Sequence, residues 1–115
     1  MMYMTSKAGI IKNGDASRFE EIIKNGKVCT IFSATWCGPC KSLKLKLDDV
    51  VAEVTDVEFY VFDVDQSASL ASKLSVRSIP TVLFFSNGEL CNKHLGDFST
   101  PKSMIDWFKD SRTNG

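Results

Sequence analysis

The hydrophobic positions of this chain form short runs of strand length and longer stripes with helical spacing. The mostly apolar run from Val28 to Phe32 predicts a buried strand over 28–34. Apolar residues then recur every three or four positions, which predicts a helix over about 41–54 whose apolar face carries Leu43, Leu47, Val50, Val51 and Val54. A second mostly apolar run, Val57 to Val64, predicts another strand. These segments form a strand, helix, strand unit.

Such a unit is expected to pair its strands in parallel, with a right-handed crossover, in a sheet covered on both faces. The segments before it predict a short strand over 8–12, a turn at Asn13-Gly14, and a helix that Asp15 or Ser17 caps and Gly26 ends. The face of that helix that packs on the sheet carries Phe19, Ile22 and Ile23.

The second half of the chain predicts a short helix over 66–74, a hairpin and a final helix. Thr81 to Phe85 and Glu89 to Leu95 flank Asn87-Gly88, a pair that accepts the positive φ angles of a tight hairpin turn. Pro101 fits the first position of the last helix. The predicted fold is therefore α/β, with a central mixed β-sheet of about five strands flanked by about four helices.

Length and charge limit the class of protein. With 115 residues, the chain has the size of a single domain over residues 1–115, with flexible ends expected at 1–6 and 111–115. Fourteen Lys and Arg balance fourteen Asp and Glu without a basic cluster, so nucleic-acid binding is not expected. The apolar runs have the length of strands, so no membrane span is expected.

Cysteine usage and the first residues indicate the compartment. Met1 to Gly14 contains neither a cationic stretch followed by a long apolar core nor a small-residue cleavage site, so no secretory signal is expected. Two of the four cysteines, Cys29 and Cys91, stand alone, which is typical of a reducing compartment and not of a disulfide scaffold. We therefore expect the protein in the cytoplasm.

The candidate chemistry lies in Trp36-Cys37-Gly38-Pro39-Cys40, where the predicted strand becomes a helix. One helical turn separates the two thiols, a spacing that suits reversible dithiol chemistry. Unpaired backbone N–H groups and the macrodipole at a helix N-terminus favour negative charge, so a thiol there ionises more readily than a free side chain. The thiolate is the attacking species in disulfide exchange.

A bare C-x-x-C also occurs in zinc sites, and Cys29, Cys91 and His94 could nominally complete four ligands. Their positions disfavour zinc, because Cys29 lies within a strand and alternation places Cys91 and His94 on opposite faces of another. We therefore expect no metal, and interpret Cys29 and Cys91 as packing residues and His94 as a solvated strand residue. A purely structural disulfide is also disfavoured in a reducing compartment.

The chain resembles the thioredoxin family over nearly its whole length. The matching stretches are Trp36 to Lys41, Ser78-Ile79-Pro80-Thr81 before a strand, the Asn-Gly hairpin, and Leu95-Gly96. The resemblance implies a thioredoxin fold in which Cys37 is the exposed nucleophile that attacks a substrate disulfide, and Cys40 the more buried resolving thiol. Gly38 and Pro39 form a tight first turn, and in this family a Gly-Pro pair accompanies reductases.

The resemblance also implies a surface that binds substrates. Pro80 resembles the family's cis proline, which lies against the two cysteines and leaves neighbouring backbone free to hydrogen-bond a substrate strand. Carried over by position, the residues that would dock a partner around Cys37 are Trp36, Ile79, Thr81, Leu95 and Gly96. For Ile79 and Leu95 the alternative of an ordinary core position stays open.

This chain departs from the family pattern beneath the motif. Thioredoxins usually hold a buried aspartate six residues before the first cysteine and a lysine on the adjacent strand, where this chain has Ile31 and Val61. It is physically reasonable that both charged residues are replaced together, because one buried charge without its partner lowers the stability of the fold. Our hypothesis is that Cys40 loses its proton to water or to a group such as Asp63, so turnover is slower than in relatives. Leu45 replaces a proline that kinks the helix, which predicts a straighter helix.

The predicted function is that of a protein disulfide reductase and electron carrier in cell redox homeostasis, cycling between the Cys37/Cys40 dithiol and its disulfide without a bound cofactor. The implied partners of this monomer are disulfide-containing proteins and an NADPH-dependent thioredoxin reductase, with glutathione or a ferredoxin-linked donor as other electron sources. A different class stays open: a binding or scaffold subunit with incidental redox activity. The loss at Ile31 and Val61 gives it some support.

Overall fold

The computed structural model describes residues 11–114, with side chains described through Ser111. The strands are β1 (Ile11–Asn13), β2 (Lys27–Ser33), β3 (Val57–Asp63), β4 (Thr81–Ser86) and β5 (Glu89–Leu95). The helices are α1 (Phe19–Ile23), preceded by a 3₁₀ turn (Ala16–Arg18), then α2 (Gly38–Glu53), α3 (Ala68–Lys73) and α4 (Pro101–Asn114). None of these helices within residues 11–114 has both the length and the apolar composition needed to cross a membrane.

The five strands form one mixed sheet in the order β1-β3-β2-β4-β5. β3 pairs in parallel with both β1 and β2, whereas β4 runs antiparallel to both β2 and β5. β2 lies at the centre, and every residue from Val28 to Ser33 is buried, which explains its near-continuous apolar sequence. The predicted strand, helix, strand unit and the mixed sheet are confirmed.

Alternate residues of β2 enter two different apolar clusters, because successive side chains of a strand point to opposite faces. Cys29 and Ile31 join the cluster that α2 and α4 cover, which also contains Leu43, Leu47, Phe59, Phe84, Met104 and Phe108. Val28 and Phe32 join the cluster on the other face, with Phe19, Ile23, Phe62, Leu83 and Phe85. The sheet is therefore covered on both faces, as the sequence predicts.

The turns form as their residues indicate. The Asp15 carboxylate accepts hydrogen bonds from the backbone N–H and the hydroxyl of Ser17, at 3.0 and 2.7 Å, so Asp15 caps the 3₁₀ turn that leads into α1. α1 itself follows Arg18 and has no side-chain cap. Asn87 and Gly88 have φ angles of 50° and 86°, which confirms the tight hairpin turn. The Asn87 side chain accepts from the Gly26 N–H at 2.8 Å, so the hairpin turn is tied to the turn after α1.

Both long helices extend further than the sequence predicts. α2 begins at Gly38 instead of 41, because Cys37 provides its N-terminal cap. α4 continues to Asn114, and the buried Ser111 hydroxyl donates to the Trp107 carbonyl at 2.7 Å and accepts from Asn92 at 2.8 Å. The helix therefore includes residues 111–114, which belong to the end expected at 111–115. The end expected at 1–6 and most of the strand expected at 8–12 lie outside the described residues.

A β-bulge in β5 overturns the predicted placement of Cys91 and His94. Phe85 pairs with Leu90 and Phe84 with Asn92, which leaves Cys91 as an extra residue and breaks the alternation of faces. Cys91 packs against the cluster that contains Phe98, and the His94 ring stacks on Phe98 with centroids 3.8 Å apart. His94 is thus half-buried and not a solvated strand residue, and its side chain contacts the same cluster as Cys91.

We expect Gly14→Ala to lower the free energy of unfolding by about 1–3 kcal/mol, the range typical of overpacked cores. A Cβ at Gly14 would overlap the ring of Phe62, which is itself packed between Phe19 and Phe32. Urea unfolding followed by circular dichroism measures the change. Gly38→Ala is the matched control, because a Cβ there meets nothing within 4 Å. Equal stability of the two variants would contradict the expected overlap.

Candidate active site

Cys37 and Cys40 form a disulfide at the N-terminus of α2, with their Cα atoms 5.3 Å apart. β2 ends at Ser33, and the Cys37 N–H donates to the Ala34 carbonyl at 3.3 Å, which turns the chain toward the helix. Cys37 has an extended backbone and is the N-cap, followed by Gly38 and then Pro39 in the first turn. Pro39 needs no N–H partner in that turn, so the Gly-Pro pair fits the helix start.

The local electrostatics favour negative charge on Cys37. Its sulfur accepts a hydrogen bond from the Cys40 backbone N–H at 3.2 Å, as a capping oxygen would. The positive end of the 16-residue helix α2 adds to this effect. Both cysteines are buried: Cys37 keeps 5% of its surface exposed and Cys40 keeps none, so the expected exposure of Cys37 holds only relative to Cys40. An attacking group from solvent therefore reaches the disulfide from the side of Cys37.

The segment that contains Ile79 and Pro80 approaches the disulfide through Ile79. The Ile79–Pro80 peptide bond is cis, as expected from the resemblance. The Ile79 carbonyl oxygen lies 4.0 Å from the Cys37 sulfur, and the half-buried Ile79 side chain packs with Val64 against the cysteines. Thr81 is fully buried, and its hydroxyl donates to the Ser78 carbonyl at 2.6 Å. Thr81 therefore holds the turn before β4 and presents no side chain to a partner.

Exposed apolar side chains flank the cysteines. Trp36 and Leu95 are both largely exposed, so Leu95 is not a core residue. Leu95 pairs with Thr81 across the sheet, and the Gly96 N–H donates to the Pro80 carbonyl at 2.8 Å. The structure thus brings Trp36, Ile79, Leu95 and Gly96 to the same end of the sheet as Cys37.

Asp65 belongs to this site but was missed from the sequence. Its carboxylate accepts a hydrogen bond from the Trp36 indole N–H at 2.9 Å, which orients an otherwise exposed ring. Its own N–H donates to the Asp63 carboxylate at 2.8 Å. The sequence contains a signal for this, because Asp63 ends β3 and Asp65 follows it, and β3 is parallel to β2, so both strands end at the same edge of the sheet.

The positions beneath the motif are apolar. Ile31 is fully buried and lies directly opposite Val61 in the β2–β3 register. Two residues further along, Ser33 lies opposite Asp63, where they help to line a polar cavity of about 310 Å³ together with Asn13, Gly14, Thr35, Lys44, Val61 and Gln66. Asp63 and Lys44 therefore line a cavity that is open to water.

The other two cysteines do not join the pair. Cys29 is fully buried in the core, and burial raises the pKa of its thiol, which keeps it protonated. Cys91 is half-buried at the bulge of β5. Within residues 11–114, no group of three or more His, Cys, Asp or Glu side chains is arranged to hold a metal ion. The site therefore consists of the Cys37–Cys40 disulfide and its surroundings.

Comparison with known proteins gives matches over most of the chain. A family model described as thioredoxin matches residues 10–110. A thioredoxin from Echinococcus granulosus is 44% identical over 85 residues, which cover 72% of this chain and 78% of that protein. Mitochondrial thioredoxin-3 of Saccharomyces cerevisiae is 33% identical over 109 residues, which cover 94% of this chain and 84% of that protein.

Solved structures agree with these matches. The crystal structure of oxidized mitochondrial thioredoxin 3 from Saccharomyces cerevisiae has a TM-score of 0.76 at 34% identity, over 92% of this chain and 99% of that one. A disulfide that caps a helix at the end of a central strand defines a thiol-disulfide oxidoreductase. The chain belongs to the thioredoxin family, and it is a protein-disulfide reductase.

The buried Cys29 thiol is expected to make the fold less stable at alkaline pH. Burial raises its pKa above the ordinary 9.0, so the unfolded chain loses this proton at a lower pH than the folded protein does. The contribution of this thiol to the free energy of unfolding is complete below its pKa in the unfolded chain. Above that pKa the contribution falls by at most about 1.4 kcal/mol per pH unit. Urea unfolding across this range measures the slope. Cys29→Ala should reduce it and Cys91→Ala should not; equal slopes for parent and Cys29→Ala would contradict this.

Proposed function

We propose that this protein is a monomeric, cytoplasmic electron carrier that reduces disulfides of other proteins and is itself reduced by an NADPH-dependent thioredoxin reductase. The observation that carries the proposal is the Cys37 sulfur, which is the more accessible of the pair and accepts the Cys40 N–H at 3.2 Å. The isolated cysteines Cys29 and Cys91 support a reducing compartment.

The proposed cycle has two exchange steps. The Cys37 thiolate attacks one sulfur of the substrate disulfide, which forms a mixed disulfide and releases the first substrate thiol. The Cys40 thiolate then attacks the Cys37 sulfur, which forms the Cys37–Cys40 disulfide and releases the second substrate thiol. Two electrons and two protons pass to the substrate in total. The reductase returns them to the disulfide.

The proposed docking surface consists of Trp36, Ile79, Leu95 and Gly96. Trp36 and Leu95 supply exposed apolar area, and the half-buried Ile79 lies beside the Cys37 sulfur. Small surfaces of this kind suit transient partners. A neighbour in structure, at TM-score 0.78 and 33% identity, comes from work on thiol resolution in a yeast mitochondrial 1-Cys peroxiredoxin. We include peroxiredoxin disulfides among the proposed substrates.

Reduction of insulin disulfides with dithiothreitol as electron donor tests the carrier function. Cys37→Ser should give no turnover above background because the nucleophile is lost. Cys40→Ser should also stop turnover. Pre-reduced Cys40→Ser, mixed with insulin after dithiothreitol has been removed, should accumulate a mixed disulfide at Cys37, visible by mass spectrometry. Cys91→Ser is the control and should retain the activity of the parent. Turnover that survives Cys37→Ser, or an inactive parent, would instead favour a scaffold subunit with incidental redox chemistry.

Ile31→Asp tests whether the missing carboxylate limits turnover. We expect faster insulin reduction near neutral pH, because a carboxylate beneath the pair would accept the Cys40 proton. We also expect a loss of about 3 kcal/mol in the free energy of unfolding, since the charge is buried without a partner.

Two further variants separate the effects of charge and of stability. Ile31→Asn introduces a side chain with the shape of aspartate but without its charge. Ile31→Asp combined with Val61→Lys places an oppositely charged pair at facing positions of β2 and β3. If Ile31→Asp and the paired variant are both no faster than the parent, the carboxylate is not what limits this protein.

A further inference from the structure

Lys46 and Asp97 form an ion pair between α2 and the segment after β5. The Lys46 ammonium lies 3.0 Å from the Asp97 carboxylate, although 51 positions separate the two residues in sequence. Their side chains are only 18% and 24% exposed, compared with 82% and 48% for the pair Lys102–Asp106 on α4. Shielding from water makes the Lys46–Asp97 pair less sensitive to screening than a fully exposed pair.

Ser42 completes this polar cluster. The Lys46 ammonium donates to the Ser42 hydroxyl at 2.9 Å, one helical turn earlier in α2. Burial opposes ionisation of Asp97, but hydrogen bonds from Ser42, Lys46 and the Phe98 N–H outweigh it and lower the pKa of the carboxyl. Asp97 is therefore ionised at neutral pH and remains paired with Lys46.

The turn that carries Asp97 is held at several points. The Asp97 carboxylate accepts from the Phe98 N–H at 2.8 Å, and its carbonyl accepts from His94 Nε2–H at 3.2 Å. Immediately before Asp97, Gly96 has a φ angle of 93°, a left-handed conformation that lets the chain turn sharply after β5. The ion pair, together with the hydrogen bond from Ser42 to Asp97, connects this turn to the helix that bears both cysteines.

The same segment is also connected to Cys37 through Pro80 and Ile79. The Gly96 N–H donates to the Pro80 carbonyl at 2.8 Å, and the preceding carbonyl, of Ile79, lies 4.0 Å from the Cys37 sulfur. The contacts thus form a closed path from α2 through Lys46 and Asp97 to Gly96 and Pro80, and back to α2 at Cys37. A change at Lys46 can therefore move the segment relative to Cys37 without touching either thiol.

We propose that Lys46 and Asp97 are positioning residues that hold the Leu95–Gly96 segment at a set distance from Cys37, so that protein substrates dock with their disulfide aligned. This rests on the proposed docking role of Leu95 and Gly96. A protein substrate must dock on the whole proposed surface before its disulfide sulfur can meet Cys37. If the docking residues are already in position, the free-energy cost of aligning the substrate is lower. A small disulfide needs only access to Cys37.

The test compares Lys46→Met with the parent. Methionine keeps an unbranched side chain of similar length and removes the charge. Pre-reduced protein is mixed with excess insulin or with hydroxyethyl disulfide, and the rate is followed against substrate concentration. For insulin the half-saturating concentration should rise about fivefold, the effect of losing one partly shielded ion pair, while the maximal rate stays unchanged. For hydroxyethyl disulfide the rate should not change.

Two controls distinguish positioning from general loss of stability. Lys102→Met removes the charge from an exposed pair on α4 and should leave both substrates unaffected. Lys46→Arg keeps the charge and should restore the parent value for insulin. Hydrogen exchange of the Gly96 amide, which donates to the Pro80 carbonyl, should be faster in Lys46→Met than in Lys102→Met.

The results separate this inference from the proposed function. An equal loss with insulin and hydroxyethyl disulfide would overturn the positioning role, and so would an unchanged half-saturating concentration for insulin. If the parent reduces hydroxyethyl disulfide but not insulin, the docking surface is wrong and the positioning role falls with it. A parent that reduces neither disulfide removes the proposed function itself.

Discussion

The end of the central strand β2 is the constraint on which the rest of the site depends. β2 hydrogen-bonds to β3 on one side and to β4 on the other, so the position of its last residue, Ser33, is set by the whole sheet. Cys37 follows four residues later and caps α2, which packs on that sheet through Leu43 and Leu47. Because a packed core resists displacement, the helix end that carries both thiols cannot shift freely.

The position of the two cysteines at the start of α2 meets two different requirements of dithiol exchange. The attacking thiol must ionise and meet a substrate, and the resolving thiol must stay close by without competing for it. Cys37 satisfies the first requirement because it receives a backbone N–H at the positive end of α2 and keeps some exposure. Cys40 is fully buried one turn further along. A single helix start therefore assigns different environments to two identical side chains.

The core beneath the site is apolar at Ile31 and Val61, the two positions where the resemblance to the family predicts a charged pair. Ile31 and Val61 face each other in the β2–β3 register, an arrangement that avoids the desolvation cost of two buried charges. Two residues further along the same strands, Ser33 and Asp63 help to line a cavity of about 310 Å³. The core beneath the cysteines thus consists of apolar side chains, and an ionisable group at this edge of the sheet, Asp63, faces a cavity.

The sequence by itself determined which strands and helices follow one another along the chain, the hairpin turn at Asn87-Gly88, and the cysteine pair Cys37 and Cys40. These features depend on periodicity, turn chemistry and residue spacing, which are local properties of a sequence. The bulge at Cys91 and the length of α4 were not determined, since each depends on contacts with elements distant in sequence. Only the tertiary structure decided that Asp65 orients Trp36 and that Lys46 pairs with Asp97. Those partners are separated by 29 and 51 positions, and only the folded sheet brings them within hydrogen-bonding distance.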